Sequence, residues 1–167
     1  MINIKSKNQE YEQFNKLAND WWDENGKFKV LHQIRPLRIE YILENIESNT
    51  LHGLDILDVG CGGGLISESL ARLGANVTGI DFVENNIKVA KLHASNKKLK
   101  INYIHKDIEK QALNKKYDLI IIFEVLEHLN NWKKFLSRIR NYIKKDGIVI
   151  ISTINRNIIS KYTAIFL

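Results

Sequence analysis

The stretch Asp55-Ile-Leu-Asp-Val59 runs directly into Gly60-Cys-Gly-Gly-Gly64, and this junction decides the fold. The apolar residues before the glycines predict a short strand, and Leu65–Leu73 after them is predicted as a helix that Gly74 ends. A strand, a glycine-rich loop and a helix form a known binding arrangement for charged, nucleotide-like ligands. Glycines let the backbone approach such a ligand, and four of them in five residues exceed what folding alone requires. The alternative is a tight turn without a ligand.

The residues that follow the loop narrow the class of ligand. A second strand is predicted at Asn76–Ile80, and Asp81 comes directly after it, where a carboxylate can accept both hydroxyls of a ribose. The loop lacks the dinucleotide-binding fingerprint, because position 65 is Leu where that pattern requires Gly. It also lacks the Lys-Ser or Lys-Thr pair of nucleotide-hydrolase phosphate loops.

Strands and helices alternate through the rest of the chain. Further strands are predicted at Ile101–His105, Tyr117–Phe123 and Gly147–Thr153, and helices at Asn85–Ser95 and Trp132–Ile143, with a turn at Asp146-Gly147. The fourth strand is apolar except at Asp118, which is typical of a strand buried on both faces. The pattern predicts an α/β fold with a mostly parallel, doubly wound sheet.

The first fifty residues have a different pattern, and we expect an N-terminal helical segment at 1–50 before the domain at 51–167. Apolar residues at spacings of three and four predict a helix over Glu10–Trp22, followed by a turn at Asp23–Lys27. Pro36 is expected to open a second helix that ends near Ile46. Its expected buried stripe is Leu37, Tyr41 and Ile42.

The composition and charge of the chain limit its cellular location and the classes of partner that are expected. The 167 residues contain 44% hydrophobic and 26% charged residues and one cysteine, which fits a globular domain without disulfides. The sequence has neither a long apolar run nor a signal-peptide core, so we expect a cytoplasmic location. The net charge of +6 comes from scattered lysines without a nucleic-acid-binding motif, so no nucleic acid partner is expected. Peripheral contact with the inner face of an anionic membrane stays open.

The segment Leu57–Gly64 resembles the first motif of the Rossmann-like S-adenosylmethionine-dependent methyltransferases. The resemblance implies S-adenosylmethionine as the cofactor, with Gly60 in contact with it and Asp81 on its ribose. It also places Asp107, just after the third strand, at the adenine amino group. The alternative for Asp107 is an N-terminal helix cap.

Several longer motifs resemble one family within that class, the ubiquinone biosynthesis O-methyltransferases. These motifs are Trp21-Trp-Asp, Leu31–Arg38, Ala90–Ala94, Glu124-Val-Leu-Glu-His128 and Ser152–Arg156. The resemblance places Arg38 beside the cofactor, where its guanidinium can pair with the methionine carboxylate, and Phe123 with its backbone at the adenosine. The alternative for Arg38 is an exposed helix charge.

The motif Glu124-x-x-Glu127-His128 begins where the fourth strand ends. If this segment turns helically, Glu124 faces Glu127 and His128, and two carboxylates with an imidazole suit Mg²⁺. The family resemblance implies magnesium as well. In the alternative, Glu127 forms a local cap or salt bridge and His128 packs under the sheet. We also consider His128, or a metal-bound water, as the base that takes the acceptor proton.

The implied reaction is methyl transfer to a ring hydroxyl of a polyprenylated catechol or demethylubiquinol. Its apolar acceptor requires contact with the membrane or with a lipid-carrying complex. Methyltransferases of this class commonly have seven strands, and the five predicted here suggest that the last two are missing. The apolar segment Ile158–Leu167 either docks on the sheet or marks a truncated chain, and we favour truncation. Open alternatives are a methyltransferase for another small molecule or RNA, and an inactive remnant.

Overall fold

A computed structural model of the chain describes residues 7–47, 50–110 and 112–153, and every structural statement below concerns these residues. The predictions for Ile158–Leu167 and for the end of the motif at Arg156 lie outside them. The helices are α1 (Lys7–Leu17), α2 (Lys29–Glu44), α3 (Leu65–Arg72), α4 (Glu84–Asn96) and α5 (Trp132–Ile139). The strands are β1 (Asp55–Val59), β2 (Asn76–Asp81), β3 (Asn102–His105), β4 (Tyr117–Phe123) and β5 (Ile143–Ser152).

The five strands form one parallel sheet in the order β3-β2-β1-β4-β5. The chain moves outward from β1 through β2 to β3 and then returns to β4 on the other side of β1. The order therefore reverses between β1 and β4, and open α/β sheets bind their ligands at the carboxyl ends of the strands beside such a point. The predicted Rossmann-like parallel sheet is confirmed.

Apolar side chains cover both faces of the sheet. On one face Ile42 of α2 and Leu70 of α3 pack with Ile56, Leu119 and Ile121 of the strands. The core of the opposite face contains Leu57, Ile120, Ile122, Phe135 and Ile139. Because alternate residues of β4 enter the two cores, Leu119–Ile122 are all buried, as the sequence predicts, while Asp118 and Phe123 are half-buried.

The predicted start of the second helix is wrong. Helix α2 begins at Lys29, seven residues before Pro36, so the proline lies inside the helix and removes one backbone hydrogen bond. Contacts to other elements hold the turns before the proline. Phe28 stacks on Trp21 at 3.9 Å between ring centroids, and the His32 imidazole lies 2.9 Å from the Trp21 carbonyl oxygen.

The predicted buried stripe of α2 is correct for Ile42 and wrong for two of its members. Leu37 is 66% exposed and Tyr41 is 55% exposed, whereas Ile42 is fully buried. The buried face of the helix contains Ile39 and Ile42 and continues to Ile46 just after the helix, and Leu37 and Tyr41 project from the opposite side. Within the described residues, no helix combines the length and apolar character that crossing a membrane requires.

The turn expected at Asp146-Gly147 is an irregularity inside β5 instead. Tyr117 of β4 pairs with Ile143, and Leu119 pairs with Ile148, so β5 contains extra residues opposite this part of β4. A β-bulge of this kind keeps the strand continuous where a turn signal would end it. Helix α5 is correspondingly shorter than predicted and ends at Ile139, before a 3-10 turn.

Candidate functional site

A cavity opens at the carboxyl edge of the sheet, where β1, β2 and β4 end. It brings together most residues that the sequence singles out, namely Arg38, Gly60, Asp81, Asp107, Phe123, Glu124 and His128. Glu127 is not among the described residues that line this cavity. Most of the remaining wall is apolar and includes aromatic rings of the N-terminal segment, such as Phe14, Trp21 and Phe28. A mostly apolar pocket with a few convergent charged groups is typical of a small-molecule site.

Asp81 lies at the β2 end of this cavity, and hydrogen bonds fix its carboxylate. Its Oδ2 accepts the backbone N–H of Gly62 at 2.9 Å, and its Oδ1 accepts that of Val83 at 2.8 Å. The side-chain amide of Asn86 also donates to Oδ1, at 3.3 Å. Burial raises the pKa of Asp81, and these donors oppose the rise. The carboxylate therefore holds the glycine loop in place beside the cavity.

Gly60 is the loop glycine that brings its backbone to the cavity. Its φ is +72°, in the region that favours glycine, and its N–H donates to the Ile80 carbonyl at 2.8 Å. A Cβ at this position would lie 2.5 Å from Cγ2 of Val125, too close for any side chain. The predicted close approach of backbone to ligand is thus possible at Gly60.

The expectation that four glycines exceed what folding alone requires is wrong for the rest of the loop. A Cβ on Gly62 or Gly63 would overlap the Trp21 ring, and a Cβ on Gly64 would overlap the Tyr103 hydroxyl. Folding itself therefore requires these glycines, because aromatic rings of the chain pack directly against the loop.

Two adjacent tryptophans attach the N-terminal segment to the loop. The Trp21 indole N–H donates to Oδ1 of Asn86 at 2.9 Å, and that of Trp22 donates to the Gly63 carbonyl at 3.0 Å. Since Asn86 also donates to Asp81, one side chain connects the N-terminal segment to the carboxylate. Sequence reasoning missed Asn86, and only the Trp-Trp pair gave a signal for this contact.

Asp58 is a second buried carboxylate at the cavity, and sequence reasoning assigned it no role. It is 4% exposed, and the Ser67 hydroxyl donates to its Oδ2 at 2.6 Å. Burial raises the pKa of Asp58 to about 6, and the nearby charge of Asp81 adds to the rise. The signal in the sequence was an acidic residue inside an apolar strand.

Two charged side chains and a hydroxyl from three parts of the chain meet at the β4–β5 end of the cavity. Arg38 of α2 forms an ion pair with Glu124, which follows β4, and its Nη2 lies 3.5 Å from the Ser152 hydroxyl at the end of β5. The Ser152 hydroxyl donates to Oε1 of Glu124 at 2.9 Å, and the Arg38 guanidinium lies over the Phe123 ring. Arg38 is therefore an inward-facing site residue rather than an exposed helix charge.

The backbone at Glu124 explains why the expected helical turn does not form. Glu124 has a φ of +54°, outside the helical region, and a 3-10 turn follows only at Leu126–His128. The Glu127 carboxylate accepts a hydrogen bond from the Thr153 hydroxyl at 2.9 Å, and the His128 ring meets the Phe14 ring edge-on at 5.5 Å between centroids.

Burial raises the pKa of Glu124, and the negative charge of Glu127 contributes to this rise.

This arrangement does not fit the expected magnesium site. Across residues 7–47, 50–110 and 112–153, no group of three or more His, Cys, Asp and Glu side chains could hold a metal ion. Glu124 instead pairs with Arg38, and Glu127 pairs with Thr153, which agrees with the local role considered for Glu127.

Asp107 lies in the cavity wall and stabilises a turn. Its Oδ1 accepts the Glu109 N–H at 3.1 Å, as an N-cap would, but residues 108–110 form a turn and not a helix. The role expected at the adenine amino group stays a prediction.

Solved structures share this fold. A magnesium protoporphyrin IX methyltransferase from Synechocystis PCC 6803 with bound S-adenosylmethionine superposes with a TM-score of 0.74 at 21% identity. The match covers 99% of this chain and 86% of that one. A plantazolicin methyltransferase in complex with a pentazolic desmethylPZN analog and S-adenosylhomocysteine gives a TM-score of 0.63 at 28% identity, over 89% and 61% of the two chains.

Comparisons of sequence identify the family of the chain more narrowly than the solved structures do. Residues 57–151 match a family model described as a methyltransferase domain. The ubiquinone biosynthesis O-methyltransferase of Rickettsia canadensis is 48% identical over 88% of this chain, which spans 63% of that relative's length. The protein of the same name from Pelagibacter ubique is 45% identical, with 93% of this chain and 68% of the relative covered. The chain belongs to the ubiquinone biosynthesis O-methyltransferase family.

Proposed function

We propose that this chain binds S-adenosylmethionine in the cavity and takes part in O-methylation of a ring hydroxyl on a polyprenylated catechol or demethylubiquinol. The observation that carries the proposal is the placement of Asp81 and Arg38 at opposite ends of one apolar cavity, with Gly60 between them. Relatives named for ubiquinone biosynthesis O-methylation support the acceptor class. Residues 51–167 supply the cofactor-binding part, and the segment at 1–50 adds Arg38 and aromatic walls.

Each end of the cavity suits one end of the cofactor. Asp81 can accept the ribose hydroxyls, and Asp107 in the nearby wall can accept the adenine amino group. Arg38 pairs with Glu124, which follows β4, and β1 separates β4 from β2, where Asp81 lies. Strands lie about 4.8 Å apart, so this separation of roughly 10 Å suits an extended ligand with a carboxylate at its far end.

The acceptor side of the cavity requires a group that takes a proton. When bound, S-adenosylmethionine supplies an electrophilic methyl group on a sulfonium, and the acceptor oxygen must approach it in line. A phenol has a pKa near 10, so removing its proton assists the attack. His128 lines the cavity beside Phe14 and is the side chain we assign to hold this proton. The apolar walls exclude water and fix the acceptor ring, and this positioning of the reacting atoms contributes to the rate of transfer.

The assay that tests the proposal uses a catechol with a short prenyl chain and S-adenosylmethionine with a labelled methyl group. We expect one labelled methyl group on a ring oxygen, and none on an acceptor whose hydroxyls are already methylated. Binding of the cofactor without transfer to this acceptor would contradict the proposed reaction. Heat-inactivated chain provides the background rate.

Replacement of His128 tests its role separately. We expect His128→Gln to lower kcat about a hundredfold, the usual size of a general-base contribution, with the Kd for the cofactor unchanged. Steady-state kinetics and a cofactor titration on the same preparation measure both quantities. An unchanged kcat would remove His128 from the proposed mechanism.

Peripheral contact with an anionic membrane is part of the proposal, because a polyprenyl tail has very low solubility in water. The net charge of +6 supports it, since basic surfaces are attracted to anionic lipid headgroups. We expect more chain to co-sediment with vesicles of phosphatidylglycerol than with vesicles of phosphatidylcholine. Equal sedimentation with both would contradict this part.

A further inference from the structure

The charges around Arg38 are unbalanced. Its guanidinium pairs with Glu124, and the carboxylates of Asp58 and Glu127 lie near enough to act on it electrostatically. One carboxylate therefore contacts the cation, and two more act on it from nearby. A ligand carboxylate that approaches Arg38 gains one attractive partner and meets three groups of its own sign.

The position of Glu124 is well defined. Ser152 holds it twice, because the Ser152 hydroxyl donates to Oε1 at 2.9 Å and the Glu124 N–H donates to the Ser152 carbonyl at 3.0 Å. The side chains of Arg38 and Glu124 are 16% and 21% exposed, so water screens their attraction only in part. Separating such a partly buried pair costs more free energy than separating an ion pair on the surface.

We propose that Glu124 competes with the carboxylate of the cofactor for the Arg38 guanidinium and thereby sets the affinity for the amino-acid end of that cofactor. This inference rests on the proposed function, because it requires the methionine carboxylate at Arg38. It assigns to Glu124 a task other than metal binding, in agreement with the absence of a converging ligand set among the described residues. The consequence is weaker retention of the product S-adenosylhomocysteine, which has the same carboxylate.

The test compares two ligands that differ at the amino-acid end. S-adenosylhomocysteine has the carboxylate, and 5′-methylthioadenosine has the same nucleoside without it. Calorimetric titrations of the 167-residue chain and of Glu124→Gln with both ligands give four Kd values. We expect Glu124→Gln to bind S-adenosylhomocysteine about three- to tenfold more tightly, with no change for 5′-methylthioadenosine.

Two further variants serve as checks. Ser152→Ala removes the hydroxyl that holds Glu124, so we expect a smaller tightening for S-adenosylhomocysteine in the same direction. Glu84→Gln makes the same change in net charge at an exposed pair with Lys88, and we expect no effect on either ligand. Circular dichroism confirms that each variant is folded before titration.

The outcomes separate the inference from the proposed function. Weaker or unchanged binding of S-adenosylhomocysteine by Glu124→Gln would overturn the inference, because Glu124 would then assist Arg38 or be irrelevant to it. An equal change for both ligands would show a general effect on the cavity and would also overturn it. If the folded wild-type chain bound neither ligand, the proposed function would fail, and this inference with it.

Discussion

The two ends of the cavity are held together by different interactions. At the β1–β2 end, close packing fixes the glycine loop, because the rings of Trp21 and Tyr103 occupy the space that side chains would need. Asp81 adds hydrogen bonds to the backbone of that loop. Close packing therefore determines the structure of this end, and the loop backbone is already in position before a ligand binds.

The β4–β5 end depends on charge instead. Arg38, Glu124 and Ser152 come from three separate elements and meet through hydrogen bonds of side chains. Glu127 and Thr153 form a similar contact beside them. Side-chain ion pairs can exchange partners without moving the backbone, whereas a packed loop cannot. In the proposed binding mode, the nucleoside therefore meets a preformed end of the cavity, and the amino-acid part meets an end that can rearrange.

The largest effect is expected from a methyl group added in the packed end. In Gly62→Ala the new Cβ overlaps the Trp21 ring, and the residue has a φ of +53° that disfavours alanine. We expect a loss of about 3 kcal/mol in the free energy of unfolding, from overpacking and backbone strain together. Urea denaturation measures it.

Gly53→Ala is the matched control for that change. Gly53 has a φ of +79°, and nothing lies within 4 Å of its Cβ position, so only backbone strain applies. We expect a loss of about 1 kcal/mol. Equal losses for the two variants would contradict the account of a loop packed against Trp21.

Asp58 lies between the two ends and gives a prediction with a pH dependence. Its pKa is about 6 in the folded chain and 3.8 in the reference state, so the folded chain binds the proton more tightly. The stability from this group is therefore present below about pH 4 and is lost as the pH rises to about 6. At pH 7 the loss is about 3 kcal/mol.

Asp58→Asn removes this titration, because an amide oxygen can still accept the Ser67 hydroxyl without a charge. We expect the stability of the variant relative to wild type to increase between about pH 4 and pH 6 and then level off. Thermal unfolding across this range measures the difference. A difference that does not vary with pH would show that Asp58 has an ordinary pKa.

The smallest effect is expected at the charged end. Thr153→Val removes the exposed hydroxyl that donates to Glu127 and keeps the shape of the side chain. We expect a change below about 0.5 kcal/mol in the free energy of unfolding, since exposed contacts contribute little. A loss as large as that of Gly62→Ala would remove the contrast between the two ends.

Patterns along the chain predicted the sheet and most of the cavity. All five strands and the placement of Asp81 and Gly60 follow from periodicity and from strand ends, because these features depend on neighbouring residues. The early start of α2 was not predictable in this way. Its first turns depend on Phe28 and His32 contacting Trp21, and such contacts leave no periodic signal.

For the β4–β5 end, the sequence predicted which residues are present but not how their side chains are arranged. The motif identified Glu124, Glu127 and His128, but its spacing implied a helical turn that the φ of Glu124 prevents. The partners of the two carboxylates are distant in sequence: Arg38 belongs to α2, and Ser152 and Thr153 lie at and just after the end of β5. A motif read by itself does not contain those partners.

Calorimetric titration of the 167-residue chain and of Asp81→Ala with S-adenosylmethionine is the decisive test of cofactor binding in this cavity. We predict a Kd on the order of micromolar for the wild-type chain and a loss of binding in the variant, because Asp81 fixes the loop and is the proposed acceptor of the ribose hydroxyls. Absence of binding by the folded wild-type chain, or equal binding by a folded Asp81→Ala variant, would contradict it.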